Sequence, residues 1–126
     1  MDRQVTAPRA LPEQPLSGVT VLALGGIGPV PFAAMLLSDL GARVTRIEKP
    51  GGASPMIMAA HSILFRGQQS LELDLKADRD RVLQEIAGAD VVIEGFRPGV
   101  AEKLGLGPED AAQVNPKVVY GRMTGW

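Results

Sequence analysis

What most constrains this chain is a recurring pattern in which short aliphatic or β-branched runs alternate with segments carrying helical spacing or helix punctuation. The first run, Val19-Thr-Val-Leu-Ala-Leu24, stops at Gly25-Gly26 and reads as a buried strand by its length and its bounding residues. A helix is predicted over Pro31 to Leu40: proline suits a first turn, Gly41 suits the stop, and Phe32, Met35, Leu36 and Leu40 recur at helical spacing. Ala42 to Glu48 is a second strand, closed by Lys49-Pro50-Gly51-Gly52. The apolar, Met-rich stretch Pro55 to Phe65 suggests a short helix within a long connection. Ser70 to Leu75 alternates, with Leu71, Leu73 and Leu75 facing one way, as in a third strand. Asp78 can cap a helix that runs to Ala87, turns Val82, Leu83 and Ile86 inward and ends at Gly88. Val91 to Glu94 is a fourth strand, followed by helical turns near Val100 to Leu104 and over Pro108 to Val114, and Val118 to Arg122 is a fifth.

Strands separated by helices point to an α/β fold of parallel units joined by right-handed crossovers. The first four strands are expected to lack a polar face, as when helices cover both sides of a sheet. Ligands in such folds bind outside the carboxyl ends of the strands. That places any site at Gly25 to Pro31, Glu48 to Gly52, Asp74 to Ala77, Glu94 to Gly99 and Met123 to Trp126.

Composition narrows the function. At 126 residues the chain is one compact unit or a piece of a larger one, and 45% hydrophobic residues exclude a disordered chain. Thirteen basic against fourteen acidic residues leave a net charge of −1, too little positive field for a nucleic-acid partner. The absence of cysteine removes disulfides, thiolate metal sites and cysteine nucleophiles, and the single histidine, His61, excludes any site built on two. Residues 1–15 read as a flexible arm, and Met1 to Ala10 carry no apolar core of a secretory signal. The most apolar stretch, Val19 to Leu37, is broken by Gly25, Gly26, Gly28, Pro29 and Pro31, so no membrane span is expected and a cytoplasmic location is the default.

Several segments together carry a family resemblance. They are Pro15-Leu-Ser-Gly-Val-Thr-Val-Leu22, Leu36-Leu-Ser-Asp-Leu-Gly-Ala42, Arg46-Ile-Glu-Lys-Pro50 and Leu73-Asp-Leu-Lys76. Ala89-Asp-Val-Val-Ile-Glu-Gly-Phe-Arg-Pro-Gly-Val100, Leu104-Gly-Leu-Gly-Pro108, Asn115-Pro116 and Val119-Tyr120 follow. In order and wording, residues 16–126 resemble the N-terminal part of the family III CoA-transferases, and Gly25-Gly-Ile-Gly-Pro29 and Gly121-Arg-Met-Thr-Gly-Trp126 look most like its α-methylacyl-CoA racemase branch. The resemblance implies a Rossmann-like parallel sheet with flanking helices, incomplete here as the N-terminal portion of the family's large domain. It implies acyl-CoA as the small-molecule partner and an interlocked homodimer in the full-length proteins. No permanently bound cofactor is implied, coenzyme A entering as part of the thioester substrate.

By the same resemblance, CoA contacts fall at Lys49, at Leu73, Asp74, Leu75 and Lys76, at Gly95, Phe96 and Arg97, and at Lys103. Arginine is the family's usual residue where Lys49 and Lys103 stand; lysine keeps the charge and loses the planar fork. The racemases' acid/base histidine and aspartate, and the transferases' nucleophilic aspartate, are expected downstream of Trp126, so no catalytic residue is assigned here. Epimerisation of a 2-methylacyl-CoA is the first expectation. CoA transfer between carboxylic acids is the alternative, and a truncated CoA-binding or dimerising remnant a third. The family commonly reads Asn-Arg-Gly-Lys-Arg-Ser where this chain has Phe65-Arg-Gly-Gln-Gln-Ser70; if that loop covers the nucleotide, affinity should fall, with Arg66 its one remaining cation.

Other features have plainer readings. Gly25-Gly-Ile-Gly28 with Glu48 imitates a dinucleotide fingerprint, but Pro31 occupies the third glycine position, and neither Pro29 nor Pro31 has an amide to offer a phosphate. A tight turn lining the thioester pocket, as the family suggests, is the better account. His61 reads as structural rather than as a general base. Glu48, Asp74 and Glu94 read as loop or cap carboxylates rather than nucleophiles, and Met56 and Met58 as core or pocket filler.

Overall fold

The computed structural model describes residues 13–25, 28–52 and 63–124. Its strands are β1 (Thr20–Leu24), β2 (Arg43–Glu48), β3 (Gln69–Glu72), β4 (Val91–Glu94) and β5 (Val119–Arg122). Its helices are α1 (Pro29–Asp39), α2 (Arg79–Ala87), α3 (Val100–Lys103) and α4 (Pro108–Val114). All neighbouring strands pair in parallel in the order β3-β2-β1-β4-β5, so the sheet grows outward on both sides of β1. Val21 stands opposite Val44 on one side and Val91 on the other, and the register carries through to Ile47 against Leu71 and Ile93 against Gly121.

The central strand explains the two-sided core. Along β1, Val21 and Ala23 join Val30 and Ala34 of α1 with Val44 and Ile93. Leu22 and Leu24 face the other way, onto Val82 and Ile86 of α2, Ala111 of α4, and Leu106. Each fully buried aliphatic side chain of this kind contributes about 1.5–3 kcal/mol. The expected lack of a polar face holds for β1 and β4 and fails for β2 and β3. In β2 only Val44 and Ile47 are buried, and no residue of β3 is. The helices cover the middle of the sheet, leaving the β3 side with water-compatible residues.

Three local expectations need adjustment. Helix α1 begins at Pro29 rather than Pro31, because the first turn accepts both prolines without losing an intrahelical bond. Asp78 sits at the start of α2 but makes no side-chain cap; its Oδ2 instead accepts the Asp74 N–H at 2.8 Å. Strand β3 closes at Glu72, although the Leu73 N–H still reaches the Glu48 carbonyl at 2.9 Å and Leu71, Leu73 and Leu75 do share one face of the core. Of the arm expected over residues 1–15, residues 1–12 lie outside the described residues, whereas the Gln14 carbonyl accepts the Ser17 N–H at 3.0 Å. The short helix expected over Pro55 to Phe65 lies outside them as far as residue 62, together with Met56, Met58 and His61. Among the described residues, no helix is long and apolar enough to cross a membrane.

Candidate functional site

Because every strand runs the same way, all carboxyl ends open on one edge. Lys49 follows β2, Leu73 to Lys76 follow β3, and Gly95 to Arg97 follow β4, so eight of the nine expected positions share that edge. The ninth, Lys103, is the last residue of α3.

Asp74 organises the β3 tip. Its Oδ1 accepts the backbone N–H groups of Lys76 at 2.9 Å and Ala77 at 2.8 Å. The Ala77 and then the Lys76 amide hold its carboxyl below the usual aspartate range, and the ammonium charges of Lys49 and Lys76 push the same way. The charges of Lys49, just after β2, and Lys76, beyond the end of β3, thus both act on this carboxylate, and both lysines are exposed. Leu73 and Leu75 pack against the core beneath, which leaves their backbone rather than their side chains for a ligand.

The β4 tip is built around Glu94, a carboxylate whose residue is only 1% exposed. Its Oε2 accepts the Phe96 N–H at 2.8 Å, and its Oε1 accepts Arg122 Nε at 2.8 Å. Arg122 also donates through Nη2 to Glu102 of α3 at 2.5 Å. These two carboxylates, Glu94 foremost, raise the Arg122 pKa beyond its ordinary value. Gly95 lies so close to α1 that an added Cβ would stand 2.8 Å from Val30 Cγ2. Arg97 and Lys103 are exposed. One strand, β1, separates the tips of β2 and β4, which puts them about 10 Å apart at normal strand spacing.

At the crevice between β1 and β4, where the strand order reverses, the Phe96 ring lies against Gly25. Gly25 has φ +48°, and a Cβ there would meet the Phe96 ring at 2.8–2.9 Å. At the start of α1, Pro29 and Pro31 leave Val30 as the one N–H donor among the first three helical residues. Both features agree with rejecting a dinucleotide phosphate seat; Gly26 and Ile27 lie outside the described residues.

The loop that departs from the family pattern sits at the opposite edge. Gln69 opens β3 in register with Thr45, Gln68 Nε2 donates to the Leu64 carbonyl at 2.8 Å, and Arg66 pairs with Asp39 at 2.5 Å. An affinity loss through Gln68 and Gln69 therefore has no geometric basis at the carboxyl edge. A cavity of about 280 Å³ also opens on that far side, lined by Thr20, Arg43, Thr45, Gln69, Gln84 and Glu85 among others, and includes none of the nine positions.

None of the three carboxylates Glu48, Asp74 and Glu94 is poised as a nucleophile, and Asp74 lies beyond the end of β3 rather than closing it. Glu48 pairs with Arg46 and accepts the Ser70 hydroxyl at 2.6 Å, and Asp74 stabilises its turn. Glu94 holds the turn after β4 through the Phe96 amide, as a cap carboxylate does, and is in addition a buried charge paired with the partly exposed Arg122. That pairing, and the Arg46 guanidinium stacked 3.7 Å from the Phe65 ring centre, were missed by sequence reasoning. For Glu94 there was one signal, a charge closing an otherwise aliphatic strand.

Residues 16–126 match the family described as CoA-transferase family III. The chain is 45% identical over 113 residues to human alpha-methylacyl-CoA racemase, covering 88% of this chain and 28% of that protein. It is 36% identical over 128 residues to the acetyl-CoA:oxalate CoA-transferase of Acetobacter aceti, covering 93% and 33%. It is also 36% identical over 132 residues to a probable fatty acyl-CoA transferase of Mycobacterium tuberculosis, covering 94% and 34%. A crystal structure of the last superposes with a TM-score of 0.79 at 37% identity, over 90% of this chain and 34% of that one. The chain thus spans about a third of the length of these relatives.

Proposed function

The chain belongs to CoA-transferase family III, and from that premise we propose that it forms the acyl-CoA-binding portion of an α-methylacyl-CoA racemase-like enzyme. The observation that carries the reading is the single carboxyl edge that bears Lys49 after β2, Lys76 after β3 and, on the other side of β1, Arg97 after β4. CoA carries a 3′-phosphate and a diphosphate, and separated cations above a sheet edge suit such a polyanion. Well-formed charge-assisted contacts contribute about 1.5–3 kcal/mol each. Lys103, one turn along α3, would extend the cationic line.

In the reaction proposed for the whole protein, the thioester carbonyl acidifies the Cα–H bond. A base removes that proton, pre-placed donors stabilise the enolate oxygen, and the proton returns on the opposite face. The carboxylates described at this edge are committed to structure, so the acid/base pair comes from elsewhere in the enzyme. Racemisation is preferred over CoA transfer because identity to the human racemase exceeds that to the Acetobacter aceti transferase, 45% against 36%. An interlocked homodimer is part of the same proposal.

The test has two arms. Titration with coenzyme A should show saturable binding that weakens about tenfold in Lys49→Ala or Arg97→Ala, the loss of one good charged contact. Incubation of a longer form of the enzyme with a 2-methylacyl-CoA in deuterated water should place deuterium at Cα. A hydroxylamine-sensitive acyl-enzyme without α-exchange would favour the transferase, and no CoA binding at all would defeat both.

A further inference from the structure

Resting on the reading of the carboxyl edge as an acyl-CoA seat, we propose that Arg122 is the positioning residue for the whole segment from Gly95 to Lys103. That segment carries four of the nine expected contacts: Gly95, Phe96, Arg97 and Lys103. It is held at both ends by one guanidinium. At the entry, Arg122 Nε donates to Glu94 Oε1 at 2.8 Å, while the other Glu94 oxygen holds the Phe96 amide at 2.8 Å. At the exit, Arg122 Nη2 donates to Glu102, the residue before Lys103, at 2.5 Å. The bracket is itself fixed to the sheet, because Arg122 closes β5 opposite Glu94 and the next residue, Met123, donates its N–H to the Glu94 carbonyl at 2.9 Å.

The geometry specifies what each atom does. Glu94 is buried, so its charge requires a partner, and Arg122 supplies one without needing full burial itself: its side chain is 38% exposed against 2% for Glu94. A planar fork can serve two carboxylates at once, which a lysine ammonium on a different stem does less well. With Glu94 satisfied, its second oxygen stays aimed at the Phe96 amide, and this fixes the turn that sends Arg97 outward. Glu102 is further constrained by Gly107, where an added Cβ would lie 3.1 Å from Glu102 Cγ. Residues 95–103 are therefore pre-arranged before any ligand arrives, and pre-arrangement of a binding loop raises affinity by reducing the ordering left to the binding step.

Two variants test this, each read by amide hydrogen exchange and by titration with coenzyme A. Arg122→Lys keeps a positive charge near Glu94 but loses the fork; Glu102→Gln keeps an accepting oxygen at the exit but removes its charge, on a side chain 47% exposed, and leaves the Arg122–Glu94 pair intact. Expected for Arg122→Lys is exchange at the Phe96 amide faster by about tenfold, with the β1 amides of Val21 and Leu22 unchanged and the CoA dissociation constant raised in parallel. Expected for Glu102→Gln is a smaller loss of affinity, about threefold, with Phe96 still protected. Unchanged Phe96 exchange and CoA affinity in folded Arg122→Lys protein would overturn the assignment, as would acceleration shared equally by the β1 amides. If the unmodified protein binds no coenzyme A but Phe96 exchange still responds selectively, the positioning role stands and the acyl-CoA reading falls. If it binds and Phe96 does not respond, the reverse holds.

Discussion

Gly95 shows how one missing side chain sets a distance between elements. Its backbone is within reach of Val30, a β-branched residue 3% exposed at the start of α1, and an added Cβ would sit at 2.8 Å from Cγ2. Gly95→Ala should destabilise the fold by about 1–3 kcal/mol, as overpacking of a tight interior does. In a urea-unfolding cycle with Val30→Ala, the double variant should be more stable than the sum of the single effects, since the new methyl enters the space that Val30 vacates. Strict additivity would mean that the two do not share that space. Asp74 supports a second expectation. Asp74→Asn retains an oxygen for the Lys76 and Ala77 amides but removes the negative charge between Lys49 and Lys76. Coenzyme A should then bind about two- to fivefold more tightly at low salt, and the gain should vanish as ionic strength screens it. Weaker binding at low salt would show Asp74 touching the ligand directly.

At the scale of elements, one helix end is tied to its neighbours by a side chain. Asn115, just past α4, donates from Nδ2 to the carbonyls of Ile86 at 3.0 Å and Ala89 at 2.6 Å, which locks α4 to the end of α2 and the entry of β4. Asn115→Ala should cost about 1–3 kcal/mol in thermal or urea unfolding, because the Ile86 and Ala89 carbonyls would lose their side-chain donor in a partly buried place. No measurable change would mean that water replaces the amide. The elements themselves were legible because their signals are local: β1 and β4 are aliphatic runs, and Gly25, Gly41 and Gly88 punctuate them. What was not legible depends on which strand becomes the neighbour of which. The alternation in Ser70 to Leu75 identified the inward face, yet nothing in it said that β3 would be an outermost strand with no buried residue. Likewise Glu94 and Arg122 are 28 residues apart and meet only because β5 pairs with β4. Motif comparison alone makes Gln68 and Gln69 part of a ligand loop, whereas strand direction puts them at the other edge.

For the molecule as a whole, the response to acid is set by four exposed or half-exposed carboxylates with depressed pKa values. Asp39 is lowered chiefly by its hydrogen bond to Arg66, and Glu102 by its hydrogen bond to Arg122. Asp74 is lowered chiefly by the Ala77 amide, and Asp90 by the Thr20 amide, which lies 2.8 Å from Asp90 Oδ2. The sign follows from linkage: a carboxylate more acidic in the folded than in the unfolded chain stabilises the fold wherever the unfolded chain would also be ionised. That contribution is present in full above the ordinary values of 3.8 for Asp and 4.5 for Glu, and is lost as pH falls through the lower folded values. The urea midpoint should therefore be level from about pH 7 to about pH 5 and decline below that. Salt separates the two kinds of support. Raising the ionic strength to about 0.5 M should shrink the part of the decline due to Asp39 and Glu102, whose partners are exposed or half-exposed guanidinium groups. The part due to Asp74 and Asp90 should persist, because their main donors are fixed backbone amides. Asp90→Asn should therefore flatten the acid limb in high salt, while Asp39→Asn should flatten it only in low salt. Equal responses to salt would mean that long-range charge, rather than these particular hydrogen bonds, governs the acid stability of the fold.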